Sequence, residues 1–173
     1  MRLTPHFLGL CLLLSTGDRV GAQGGVRVIF WDFEVASSGT LMAHYGLGYD
    51  HDLNRRLSVA GQVRYVPGVE VFSLDYRSAY HFADNDGGTF YMGPQVGYRR
   101  FSNETASVIP VGLRFGVRGG LQGFYADLHA GVFNSLGDLD GINAEKGSGR
   151  LVDVSPISFG FGLHMGLGWE GDD

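Results

Sequence analysis

Cysteine and lysine are almost absent from this chain: Cys11 and Lys146 are the single examples among 173 residues. One cysteine excludes a disulfide framework. The shortage of lysine says more, because a water-facing surface is ordinarily covered by Lys and Glu, and a chain with 29 glycines and 13% aromatics is poorly supplied to build one. Positive charge of any kind is short. The 13 Lys and Arg against 18 Asp and Glu leave a formal charge of −5, and without a basic stripe to neutralise phosphates a nucleic-acid-binding role is excluded. No apolar run beyond the first fourteen positions reaches the roughly 18 to 20 residues of a membrane-spanning helix, and no segment of useful length carries helical periodicity.

What is present begins with an export signal over residues 1–22. Arg2 supplies the positive start, "FLGLCLLL" a short apolar core, and Val20, Gly21 and Ala22 a small-residue cleavage site before Gln23. Cleavage there removes Cys11, and a thiol-free mature chain suits an oxidising compartment. The remainder, 23–173, has the length of one domain.

Two-residue alternation then recurs eight times, which predicts an all-β fold. The second segment sets Leu41, Ala43, Tyr45, Leu47 and Tyr49 against Met42, His44, Gly46 and Gly48; the third sets Leu57, Val59, Val63 and Tyr65 against Ser58, Ala60, Gln62 and Arg64. The same contrast runs through 72–82, 89–101, 109–118, 123–133 and 158–169, with 26–35 as a less regular first strand. Each segment is about ten residues, the length of a tilted strand crossing a bilayer. Turn-forming clusters separate them, the longest being "NSLGDLDGINAEKGSGR". Pro94 interrupts the fifth segment and is expected at a bulge or a misplaced strand end, since proline removes a ladder hydrogen bond.

Alternation alone fits a secreted soluble barrel as well as a membrane barrel. The second face decides between them: it is Gly, Ala, Ser and Gln with scattered Arg, Asp and His, a set suited to a narrow filled interior rather than to water. Outward aromatics also sort by height. Tyr49, Tyr80, Phe82, Phe90, Phe115, Phe124 and Trp169 lie toward one end, and Trp31 or Phe33, Tyr65, Phe72 and Tyr98 toward the other, as the two interfacial girdles of a transmembrane barrel would. On these features the chain, from about Val26 to Trp169, resembles small outer-membrane β-barrel proteins of the OmpA/OmpX type. Its closing strand, "GLHMGLGW", is similar to the terminal signal read by the barrel-assembly machinery, although "EGDD" follows Trp169 where that signal usually ends the chain.

The resemblance implies an eight-stranded antiparallel up-and-down transmembrane barrel, monomeric, in contact with outer-membrane lipid and lipopolysaccharide, with both termini periplasmic. It also implies a structural or surface-contact role, with the segment 134–151 as the one substantial external loop. The inner face is expected to hold an ion-pair network of Asp32, Glu34, Asp75 and Asp127 with Arg64, Arg77, Arg99, Arg114 and Arg118. A gated pore lined by the same charges, or a small-ligand carrier, is the alternative. His44, His129 and His164 fall at similar height and form a candidate lumen cluster, either a metal or proton-linked site with Asp127 or Asp32 in support, or single histidines hydrogen-bonded in a polar core. No metal ligand set and no cofactor is assigned. A lipid-modifying enzyme would need a nucleophile, and Ser158 and His164 share the inner face, but roughly 20 Å of extended chain separates them. No catalytic residue is therefore assigned, and "DLDG" at Asp138 to Gly141 reads as an acidic loop rather than a calcium site.

Overall fold

The fold is taken from a computed structural model, which describes residues 24–54, 56–67, 71–85, 88–101, 107–121, 124–137, 139 and 155–169. The export segment 1–22, Lys146 and nearly all of the last connection lie outside them. Eight antiparallel strands form a closed ring in chain order: β1 (Gly24–Ala36), β2 (Leu41–Asn54), β3 (Leu57–Val66), β4 (Val71–Asn85), β5 (Gly88–Phe101), β6 (Ser107–Leu121), β7 (Phe124–Gly137) and β8 (Ile157–Trp169). The last strand closes on the first, Trp169 opposite Gly24. Followed around the ring, the register climbs: Val26 faces Tyr49, then Gly61, Tyr76, Val96, Val111 and Asn134 in turn, and Asn134 faces Ile157. The Ile157 carbonyl then accepts from the Ser37 amide at the far end of β1, so the strands are tilted as closure requires.

Several strands outrun their alternating segments. β2 continues through His51 to Asn54, β4 to Asn85, and β7 to Gly137, which removes the first residues from the expected 134–151 loop. The turn after β1 is tight because Gly39 adopts φ 90°, a left-handed conformation open to glycine, while the Gly39 amide donates to the Ala36 carbonyl.

Pro94 marks neither a bulge nor a strand end. It stays in β5 opposite Leu113 on the β6 side, and the β4 pairing passes from Arg77 opposite Gln95 to Tyr80 opposite Met92 without a change of register. The ladder skips Gly93 and Pro94, so the missing N–H falls where no bond is made. Pro110 sits in a similar gap between the pairs Val96 with Val111 and Arg99 with Val108. The bulges lie elsewhere, between Ile29 and Asp32 in β1, near Asp52 in β2, and between His81 and Ala83 in β4.

Burial is inverted relative to a water-soluble barrel. Leu128 is 61% exposed and Leu167 66%, with Leu47, Leu74, Leu113 and Phe161 exposed beside them, while charged side chains fill the interior. A sheet whose outer face is a continuous apolar band and whose edges are all paired is the arrangement lipid demands. Tyr49, Tyr80, Phe82, Phe90, Phe115 and Phe124 point outward toward the end where β1 begins and β8 finishes. Trp31, Tyr65, Phe72 and Tyr98 point outward toward the other end, and Phe33, half-buried, stacks on Phe161 at 5.5 Å. The Trp169 side chain lies outside the described residues.

Candidate functional site: the charged lumen

Inward positions on every strand converge on one axis, and the lumen they fill has three polar levels and an apolar floor. The level nearest the chain termini centres on Asp50. Its carboxylate accepts from Arg77 at 2.8 Å, Arg118 at 3.0 Å, Arg27 at 3.2 Å and the Tyr125 hydroxyl at 2.8 Å. Asp127, 0% exposed, accepts from Arg77 at 3.1 Å and from the Tyr91 hydroxyl at 2.6 Å, with Arg118 at 3.7 Å and Arg27 at 3.8 Å. Two carboxylates thus hold three guanidiniums that would otherwise repel one another in a low-dielectric interior.

The middle level is organised by Arg64, which donates to Asp32 at 2.8 Å and through Nε to Asp75 at 2.8 Å. Gln62 and Gln95 approach Asp75 at 3.5 Å each. His129 Nε2 lies 3.3 Å from Asp32 Oδ1 and His164 Nε2 3.4 Å from Asp32 Oδ2, and the two imidazoles are 4.4 Å apart between centroids. Arg114 reaches Gln95 at 3.3 Å and His164 Nδ1 at 3.3 Å; among the described residues it pairs with no carboxylate. Below this, Glu34 takes both ends of the Arg99 guanidinium, at 2.7 Å to the first nitrogen, with His44 Nε2 at 3.7 Å. Fork-to-fork pairing of this kind fixes direction as well as charge.

The floor is apolar. Met42, Val66, Val71, Phe101 and Val108 pack together inside the barrel beside the connections that follow β1, β3 and β5, with Leu139 against them. Those buried side chains lie at the end of the lumen away from the termini. The hydroxyls of Ser37 and Ser155 meet at the same end.

The residues expected in the network are all buried in the lumen except Arg118, which is partly exposed at its rim. Arg27 and Asp50 are equal members that alternation did not single out. The histidine set changes. His129 and His164 come together and take Asp32 as their shared neighbour, whereas His44 stands apart with Glu34 and does not join them. Asp32 rather than Asp127 is the carboxylate between the rings, and Asp127 lies behind His129, 3.8 Å from Nδ1. Among the described residues Ser158 Oγ is buried without a hydrogen-bond partner, and the hydrogen bond His164 makes is through Nδ1 to Arg114 rather than to Ser158. A different Ser–His contact exists, Ser58 Oγ with His81 Nε2 at 2.8 Å, and no carboxylate among the described side chains is paired with His81. Residues 138 and 140–154, including "DLDG" apart from Leu139, lie outside the described residues.

A closed antiparallel ring, a lipid-type exterior and a filled charged interior define a small eight-stranded transmembrane β-barrel. The fold is similar to that of Neisserial surface protein A (NspA), at a TM-score of 0.51 and 12% identity over 84% of this chain and 94% of that one. The attachment invasion locus protein Ail of Yersinia pestis, solved with the heparin analogue sucrose octasulfate, aligns over 86% of this chain and 97% of its own at 13% identity and a TM-score of 0.44. No protein-family profile and no curated protein sequence matches the chain.

Proposed function

We propose that this protein is a non-conducting barrel of the bacterial outer membrane whose work is done at its surface and in the lipid, as an envelope-stabilising or surface-contact protein. The observation that carries this reading is the lumen. Charge pairs fill its three levels from Asp50 to Glu34, and the apolar cluster of Met42, Val66, Val71, Phe101 and Val108 lies across the remaining end. A pore needs a continuous wet path with sites weak enough to release ions. Here each carboxylate of the axis is held by guanidinium at 3.2 Å or less, and five apolar side chains stand where a mouth would be.

On this reading residues 1–22 direct export, the barrel-assembly machinery inserts the chain, and it works as a monomer among outer-membrane lipid and lipopolysaccharide. The termini then face the periplasm, and the connections after β1, β3, β5 and β7 face outward. No acyl-transfer chemistry is assigned, because Ser158 and His164 are apart and Ser58 lies inside the lumen, away from lipid. Two measurements test the proposal. The protein should fractionate with the outer membrane and migrate faster on gels unheated than boiled, and it should give no single-channel steps in planar bilayers. Reproducible conductance would overturn the non-conducting reading, and recovery in the soluble fraction would overturn the membrane one.

A further inference from the structure

We propose that Asp32, His129 and His164 form a three-ligand site for a transition-metal ion of the zinc class, built across the seam where the barrel closes. The site follows from the register of three neighbouring strands. Asp32 of β1 and His129 of β7 both lie opposite Gly162 of β8, and His164 is the next inward residue along β8. Gly162 keeps the space between them open: a Cβ at that position would stand 2.8 Å from His129 Cε1 and collide with the Trp31 carbonyl. One atom from each of the three side chains falls within 4.8 Å of the other two, and all three residues are buried.

The contacts are long for hydrogen bonds, the one that forms being His129 Nε2 with Asp32 Oδ1. His129 Nε2 and His164 Nε2 lie 3.3 and 3.4 Å from the Asp32 oxygens. Ligands bound at about 2.0 to 2.1 Å in a tetrahedron are about 3.3 Å apart; the two nitrogens face different oxygens of Asp32 and the three ligand atoms lie within 4.8 Å of one another, so a zinc-class ion fits once the side chains draw in around it. Among the described residues His164 Nε2 has no well-formed hydrogen bond, its contact with Asp32 Oδ2 being 3.4 Å, and the residue is 0% exposed. Two imidazoles and one carboxylate, with a fourth position for water, are a donor set for Zn²⁺ or Fe²⁺ rather than for Mg²⁺ or Ca²⁺.

The outer partners are in place. His129 Nδ1, also without a hydrogen bond, faces Asp127 Oδ1 at 3.8 Å, so the proton can sit on Nδ1 toward a carboxylate while Nε2 binds metal. Arg64 bridges Asp32 to Asp75, leaving two carboxylates against one guanidinium on that flank. Arg114 is the competitor. Its contact with His164 Nδ1 requires that nitrogen to accept, which places the ring proton on Nε2 and blocks ligation there. Metal binding therefore moves the proton to Nδ1 and sends Arg114 to Gln95, which it already touches at 3.3 Å.

The test uses tag-free barrel refolded in detergent with Zn²⁺ or Co²⁺, desalted, and assayed for bound metal, with heat-modifiable gel mobility confirming that each variant is folded. About one equivalent is expected in the native chain, lost at least tenfold in His164→Ala and His129→Ala and unchanged in His44→Ala. Arg114→Gln supplies a carbonyl acceptor for Nδ1–H and should tighten binding tenfold or more. Cobalt should show the intense visible absorption of a low-coordinate N and O site. Absence of metal from both the native chain and Arg114→Gln overturns the proposal, as does binding that survives loss of both His129 and His164. Loss of binding in folded His44→Ala also overturns it, since the ligand set would then be another.

Discussion

Replacing Asp50 should cost more stability than replacing any other single lumen carboxylate, because it is the one on which most donors converge. Arg77, Arg118, Arg27 and the Tyr125 hydroxyl all reach it within 3.2 Å, and the residue is 3% exposed. Removing one partner of a buried ion pair typically costs about 3–5 kcal/mol, since the remaining charge has neither solvent nor counter-ion. Asp50→Ala removes charge and acceptor together and is expected at the upper end of that range. Asp50→Asn keeps one carbonyl acceptor for Arg77 at the 2.8 Å position, so a cost of about 2–3 kcal/mol is expected, closer to the loss of one charged hydrogen bond. Arg118 has the most exposed guanidinium of the three, 15% for its side chain, so Arg118→Gln alone should be milder. In the double variant Asp50→Asn/Arg118→Gln part of the loss should return, because one unpaired cation has been removed with the anion. The assay is equilibrium folding in urea with lipid vesicles, followed by tryptophan fluorescence and by the mobility difference between heated and unheated samples. If Asp50→Asn shifts the folding free energy by less than about 0.5 kcal/mol, or if the double variant is strictly additive, the claim that this level is one coupled network is refuted.

Other outcomes follow from the same geometry. Gly162→Ala should destabilise by about 1–3 kcal/mol through overpacking against His129 and the Trp31 carbonyl, read by the same folding assay, and a neutral result would show that the β1–β8 seam is looser than the register implies. Leu113→Arg, outward and 51% exposed, should cost about 2–4 kcal/mol in lipid vesicles near mid-bilayer; a cost near zero would mean that this face meets water. Val71→Ala with Val108→Ala should lower stability while leaving the bilayer silent, because the charged levels above the floor still fill the bore; steps of conductance would make the apolar floor the sole seal. Glu34→Gln should weaken folding less than Asp50→Asn, since among the described residues Arg99 is the one guanidinium that donates to it, with His44 at 3.7 Å, and the two urea midpoints compared side by side check that order.

The outer face was legible in the chain because lipid accepts one kind of side chain, and an unbroken two-residue period leaves no freedom about which positions meet it. Leu41, Tyr45, Leu47 and Tyr49 of β2 and Phe72, Leu74, Tyr76 and Tyr80 of β4 all face outward as that period dictates. The lumen was legible as a list of residues but not as contacts, because pairing across the bore depends on tilt and stagger that no single strand encodes. His44 lies opposite Asp32 in the β1–β2 ladder, yet its side chain meets Glu34, while Asp32 is met by His129 and His164 from the far side of the seam.

Arg27 was hidden by a different cause. Counting inward positions back from Glu34 and Asp32 in steps of two places Arg27 outward, facing lipid. The bulge between Ile29 and Asp32 reverses the phase, so that Arg27 and Ile29 point inward at 0% and 1% exposure while Trp31 turns outward at 58%. Nothing in "VIFWD" announces the extra residue, because a run of apolar side chains carries no alternation to break. The clue is energetic: an arginine held outward in the hydrocarbon costs about 2–4 kcal/mol at mid-bilayer, so a strand with Arg at one parity and Asp and Glu at the other must change phase between them. The bulge is also what brings Asp32 into line with Gly162, and so places it between the two histidines. A one-residue deletion in the stretch from Phe30 to Trp31 would therefore either turn Arg27 into lipid or withdraw Asp32 from His129 and His164. It should abolish refolding altogether rather than yield a barrel with a shifted first strand, and recovery of a heat-modifiable band from that deletion would show that the phase of β1 is not fixed by its charges.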